Sequence, residues 1–231
     1  MDALLDTQRL DATPAGARET PFPLFVVDAM LPDDAATVAA LDADFPCYRS
    51  AGFFPYAEDD CGPSVRRVVE QMTSREFGDA IGRRLGIEGL GAKPTLATLC
   101  RSLNLRHGTI HTDSRSKIVT ALLYLNRSWP DTSGGCLRFL EKIDDIDATV
   151  VPEVRPLYGT LAAFKREDNS FHGHLPYEGE RRVIQVAWLT SEEEKLRKTR
   201  RGRFSRGLKR LLGALDRRFG ARRGDNASHP D

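Results

Sequence analysis

From about residue 94 to residue 190 the sequence is a succession of short apolar runs cut apart by turn signals, a pattern that few folds accept. The runs are TLATLCRSLNL, KIVTALLYLN, CLRFL, ATVVPEVRP, GTLAAF and RRVIQVAWL, separated by HGT, SWPDTSGG, DDID and REDNS. Most are of strand length and short for a helix, and the separators are rich in Gly, Pro, Asp and Ser. Six or so strands at this spacing predict a β-sandwich or a small barrel, and so a mainly β chain. Helical periodicity places supporting helices ahead of them. Pro32-Asp33-Asp34 opens one, with Val38 and Leu41 at apolar spacing, and it stops at Phe45-Pro46. Val68, Met72, Phe77 and Ile81 predict a second from Val65 to about Leu85, closing on Gly86. Leu24–Val27 reads as a short strand, and residues 47–64 as an irregular aromatic loop near a pocket. The polar first twenty residues, with Pro14 and Gly16, predict a loose or loosely docked leader. The predicted organisation is therefore a leader over 1–20, one domain over 21–190 and a tail over 191–231.

Charge sets the tail apart. Through residue 190 there are 21 Lys+Arg against 27 Asp+Glu, whereas residues 191–223 carry 13 basic and 4 acidic residues. The near-neutral total of +1 excludes a uniformly basic nucleic-acid binder. In the tail, Phe204, Leu208, Leu211, Leu212, Leu215 and Phe219 fall on one helical stripe, with Arg203, Arg206, Lys209, Arg210, Arg217 and Arg218 mostly elsewhere. Such a basic amphipathic helix docks on the body, lies on an anionic membrane or meets an acidic partner, with nucleic acid least favoured. No stretch approaches the roughly 18–20 apolar residues of a membrane span. The acidic N-terminus is unlike a secretory signal. Cys47, Cys61, Cys100 and Cys136 contain no CxxC pair and read as free thiols. The expected location is cytoplasmic, with the tail bringing the chain to the inner membrane surface.

The chemistry-bearing residues are few. His111 and Asp113 form an H-T-D triplet, and His172 follows 59 residues after Asp113, at the end of another run. Residues separated by one share a face in extended backbone, so an imidazole and a carboxylate point into one cavity. A histidine from a distant strand completes a two-histidine, one-carboxylate face with open positions, the arrangement suited to non-haem iron(II). A polar cluster without metal is the plain alternative, His174 is the rival ligand, and His107 reads as a turn residue. Arg182 heads the last strand and shares its face with Ile184, Val186 and Trp188, while Arg181 points oppositely. An arginine buried on an apolar face needs an anionic partner, and its planar fork suits a carboxylate. Tyr124 is placed to donate its phenol to the same carboxylate.

With these residues in order, the chain resembles the 2-oxoglutarate- and iron(II)-dependent dioxygenases, and among them the prolyl-hydroxylase-like branch. The matching segments are HTD at 111–113, LYLNRSW at 123–129, GGCLRF at 134–139, PLYGTLAAF at 156–164, SFHG at 170–173 and RRVIQVAW at 181–188. The resemblance covers about 95–190 closely and 22–94 loosely, and excludes the leader and tail. It implies a double-stranded β-helix (jelly roll) with N-terminal supporting helices and a C-terminal amphipathic helix. It implies iron(II) on His111, Asp113 and His172, and 2-oxoglutarate held at its distal carboxylate by Arg182 with Tyr124. Gly134-Gly135 and Leu137 then lie beneath the cosubstrate, O2 is the oxidant and ascorbate a supporting reductant. Asp113, where halogenases of this kind have Ala or Gly, speaks against halogenation. Arg101 stands where prolyl hydroxylases have a tyrosine. With Arg106, Arg115 and Lys117 it forms the expected substrate-facing set. The implied activity is hydroxylation of an unactivated C–H in a biosynthetic metabolite, anionic or lipid-linked, with a peptidyl residue as the next choice. The alternative from another class is a non-catalytic jelly-roll binding protein, which has no need to keep His111, Asp113, His172 and Arg182 together.

Overall fold

Side-chain alternation along the long strands builds two apolar layers, one on each face of a single sheet. The computed structural model describes residues 3–12 and 20–200. Its strands are β1 (Leu24–Val27), β2 (Phe53–Pro55), β3 (Thr95–Leu103), β4 (Lys117–Tyr124), β5 (Arg138–Leu140), β6 (Leu161–Lys165), β7 (Phe171–Gly173) and β8 (Gly179–Leu189). Six form an antiparallel sheet in the order β1-β6-β4-β8-β3-β2, and β5 pairs with β7 in a second. Single bridges extend the smaller sheet, among them His111 to His172 and Leu137 to Val154. On the outer face, Val119, Ala121 and Leu123 of β4 and Ile184, Val186 and Trp188 of β8 pack with the helical residues Val65, Val68, Met72, Phe77 and Ile81. On the inner face, Leu122, Tyr124, Ala162, Phe164 and Val183 meet Leu137 and Phe139 from the smaller sheet. The result is the jelly roll, with helices on one side only.

The helices are α1 (Gln8–Ala12), α2 (Ala35–Asp44), α3 (Pro63–Met72) and α4 (Arg75–Leu85). The α2 helix begins where Asp34 accepts from the backbone N–H groups of Ala36 and Thr37 at 3.1 and 2.9 Å. The single helix expected over 65–85 is two. Thr73 turns its hydroxyl back to the Val69 carbonyl at 2.8 Å, and Ser74 caps the next helix by accepting from the Phe77 N–H at 3.1 Å. Both side chains compete with the helical ladder, which periodicity alone does not register. The α4 helix then closes on Gly86 in the left-handed region at φ 70°. The run ATVVPEVRP makes only isolated bridges from Thr149 and Val154, because Pro152 and Pro156 lack the N–H a ladder requires.

Of the two readings of the leader, residues 4–12 take the docked one. The Leu4 and Leu5 N–H groups donate to Gln71 Oε1 at 3.1 and 2.9 Å, and Arg84 donates to the Leu10 carbonyl at 3.0 Å. Leu5 and Leu10 are buried in the outer core. Leu10→Ala is therefore expected to cost about 2–5 kcal/mol in denaturant unfolding. A loss of only a few tenths would contradict the docking. At the other end a helix runs through 192–200. The amphipathic stripe expected from Phe204 to Phe219 lies outside the described residues. No helix among the described residues is long and apolar enough to cross a membrane.

Candidate active site

The isolated bridge between His111 and His172 sets up the metal-binding face. Each backbone N–H donates to the other's carbonyl at 3.0 Å, which brings the two ring centroids to 4.4 Å. His111 Nδ1 lies 2.9 Å from the Thr109 carbonyl, and His172 Nδ1 lies 2.9 Å from the Ser170 carbonyl. A carbonyl only accepts, so each Nδ1 carries a proton and Nε2 is the ring nitrogen left to ligate. With a carboxylate oxygen of Asp113, these histidines offer ligand atoms that all lie within 4.8 Å of one another. Burial, then the neighbouring His111, lowers the His172 imidazole to about 4, so it stays neutral and ready to ligate near pH 7. Burial alone would raise the Asp113 carboxyl. The Lys117 ammonium, by charge and by its hydrogen bond, outweighs it and holds the group well below the usual carboxylate range. Two imidazole nitrogens and one ionised carboxylate with open positions fit iron(II). His174 is not in the set: its Nδ1 is committed to the Leu175 carbonyl at 2.8 Å.

The interior arginine is Arg181, and Arg182, expected at the cosubstrate's distal carboxylate, lies outside. The β4–β8 register pairs Tyr124 with Val183, and both face the interior. Residues of the same parity, Arg181 among them, therefore point inward. Arg182, Ile184, Val186 and Trp188 do share a face, as alternation requires, but that face is the outer one. Arg182 makes ion pairs with Asp42 and Glu180 there. Arg181 is 2% exposed, donating from Nε to the Gly135 carbonyl at 2.8 Å and from an NH2 nitrogen to the Tyr124 hydroxyl at 3.1 Å. Its guanidinium stands 5.1 Å from the centre of the Tyr124 ring. Burial raises the Tyr124 phenol's pKa, with Arg181 opposing, so the hydroxyl remains a donor. Among the described residues no carboxylate pairs with Arg181, leaving a buried cation without its counter-ion.

Gly135 holds this corner. Its φ is 73°, and a Cβ there would stand 2.8 Å from the Trp129 ring and 3.0 Å from the Tyr177 ring. Gly135→Ala is expected to destabilise the fold by about 1–3 kcal/mol and to weaken 2-oxoglutarate binding, because the carbonyl that orients Arg181 moves with it. Unchanged melting and affinity together would contradict this.

Two of the expected substrate-facing cations are placed elsewhere. Arg101 donates to the Phe45 carbonyl at 3.3 Å and pairs with Glu180 at 3.6 Å, tied to the end of α2. Lys117 is buried, with its Nζ 2.6 Å from Asp113 Oδ1. A bulge between Lys117 and Val119 shifts its parity. Arg106 and Arg115 are exposed, on loops either side of the H-T-D segment. Sequence reasoning also missed Thr120, whose hydroxyl donates to Asp113 Oδ2 at 2.5 Å. Its parity with Tyr124 was the available signal. Lys198, from the C-terminal helix, reaches Ser114 Oγ at 2.9 Å beside the metal-binding triplet.

Comparison with known proteins agrees with this geometry. Residues 100–190 match the family described as the 2OG-Fe(II) oxygenase superfamily. A Pseudomonas putida prolyl-4-hydroxylase structure superposes with a TM-score of 0.52 at 21% identity, over 79% of this chain and 97% of that one. Prolyl 4-hydroxylase from Phytophthora capsici gives 0.50 at 18% identity, over 80% of this chain and 63% of that one. These likenesses establish the fold. No curated protein matches the sequence significantly. The match over residues 100–190, the jelly-roll fold and the His111, Asp113 and His172 trio together support a 2-oxoglutarate-dependent dioxygenase using iron(II) and O2.

Proposed function

We propose that the chain hydroxylates an unactivated C–H bond of a small biosynthetic metabolite carrying an anionic group. His111, Asp113 and His172 hold the iron, and Arg181 with Tyr124 holds the distal carboxylate of 2-oxoglutarate. The observation that carries the reading is a metal-competent trio and, in the same jelly roll, a buried arginine that no carboxylate among the described residues pairs with. A chelating dicarboxylate satisfies both. When bound, the iron with 2-oxoglutarate and O2 supplies the oxidising power. This chain's residues then do the positioning. Arg181 and Tyr124 fix one end of the cosubstrate by charge-assisted hydrogen bonds. Leu122, Phe164 and Val183 line the interior with apolar surface that keeps water from competing. The exposed Arg106 and Arg115 flank the metal-binding segment and support an anionic substrate.

The experiment is a screen for substrate-stimulated succinate release, run with small organic acids and phosphorylated metabolites beside proline-containing peptides. Stimulation by an anionic small molecule is the expected result, and stimulation by peptides alone would replace the reading with a peptidyl hydroxylase. With the substrate in hand, Arg115→Glu is expected to raise its KM by roughly tenfold, from charge reversal at close range, and to leave substrate-free turnover of 2-oxoglutarate intact. An unchanged KM would remove Arg115 from the substrate site.

A further inference from the structure

Asp113 is held at both oxygens by buried groups of different charge. Oδ1 takes the Lys117 ammonium at 2.6 Å and Oδ2 the Thr120 hydroxyl at 2.5 Å. Lys117, Thr120 and Asp113 are each less than a tenth exposed, so bulk water does little to screen the pair. Asp113 is the only acid of the metal-binding trio, and Lys117 already cancels its charge. The remaining ligands are imidazoles, which bring no negative charge. Arg181 adds a second buried positive charge on the inner side of the same barrel. Before cosubstrate arrives, the interior therefore carries net positive charge where a divalent cation must bind.

We propose that Lys117 is a charge gate on the metal site, keeping metal affinity low until dianionic 2-oxoglutarate joins it. The inference rests on the reading that His111, Asp113 and His172 hold the iron. A carboxylate has about four lone-pair sites, so Lys117 and Thr120 leave room for a metal on Asp113. What Lys117 opposes is the metal's charge, since two like charges a few ångströms apart repel strongly away from bulk water. The dianion reverses the balance, one carboxylate meeting Arg181 and the other adding negative charge at the metal. Thr120 gives Asp113 a hydrogen bond without charge and so holds its orientation without opposing the metal.

The test is anaerobic calorimetric titration with Co(II) as probe, with and without 2-oxoglutarate, on folded protein checked by melting. Lys117→Gln keeps an N–H donor for Asp113 while removing the charge, and Lys117→Met is a second neutral variant of similar length. Both are expected to bind Co(II) alone about tenfold or more tightly than wild type. The gain in affinity that 2-oxoglutarate brings is expected to shrink by a similar factor. Lys117→Arg is expected to restore wild-type behaviour, and Thr120→Val not to tighten binding. A folded neutral variant that binds Co(II) as weakly as wild type, or more weakly, overturns the gate. So does tightening in Thr120→Val, because the effect then lies in a loosened Asp113 and not in charge. Wild type that binds no metal even with 2-oxoglutarate present, and neutral variants that bind none either, would sink the metal-centre reading itself, an outcome distinct from failure of the gate.

Discussion

Arg181→Ala is expected to raise the KM for 2-oxoglutarate by about 100-fold or more, while Arg182→Ala leaves it within about twofold. Truncating one partner of a buried, hydrogen-bonded charge pair typically costs about 2–5 kcal/mol of binding, which is a factor of about 30 to several thousand. Arg181 is buried against Tyr124 and the Gly135 carbonyl and has no protein carboxylate among the described residues, so its missing partner is the ligand. Arg182 has its partners already, in Asp42 and Glu180 on the opposite face. Its loss is expected to appear as about 1 kcal/mol of stability at most, the usual scale for a partly exposed pair. Side-by-side kinetics on the two variants decide the assignment. A large effect at Arg182 with none at Arg181 would reverse it.

Removing a metal ligand is expected to have the other large effect. His172→Ala should lower iron(II) affinity by more than about 100-fold, since losing even an outer partner of a ligand costs 10–100-fold. The fold should survive, because the imidazole is neutral in its buried site. Asp113→Ala should lose metal and stability together. It strands the Lys117 ammonium, and breaking a buried ion pair from one side costs about 3–5 kcal/mol. Metal titration and thermal melting on both variants separate these outcomes. Equal stability losses in the two would mean that Lys117 finds another partner.

Much of this was legible in the sequence, and the failures have physical causes. The strand runs predicted a sandwich or small barrel because period-two alternation and turn residues are local properties, and the family resemblance narrowed this to the jelly roll. The trio of His111, Asp113 and His172 was legible because an H-x-D triplet in extended backbone must place both side chains on one face. Alternation also showed that Arg181 and Arg182 lie on opposite faces. Which face holds the site depends on where α3 and α4 pack, a tertiary fact absent from the strand itself. Apolar neighbours pointed to the wrong side because the outer face, under the helices, is as apolar as the interior. Lys117 was misplaced for a different reason. The bulge between Lys117 and Val119 adds a residue and shifts the parity of the strand's first residue, and nothing in SRSKIVT announces it. The break at Thr73-Ser74 was readable from the residue types, but the apolar spacing ran straight across it.

The central claim is that one interior holds iron(II) and 2-oxoglutarate together, and its most direct measurement is anaerobic absorption spectroscopy. Wild-type protein loaded with iron(II) is titrated with 2-oxoglutarate, with His172→Ala alongside. Chelation of iron(II) by the ketone and adjacent carboxylate produces a weak visible charge-transfer band. The expected result is a band that saturates near one equivalent in wild type and is absent from the variant. Folded, iron-loaded wild type that develops no band would contradict the account and favour a jelly-roll binding protein without turnover.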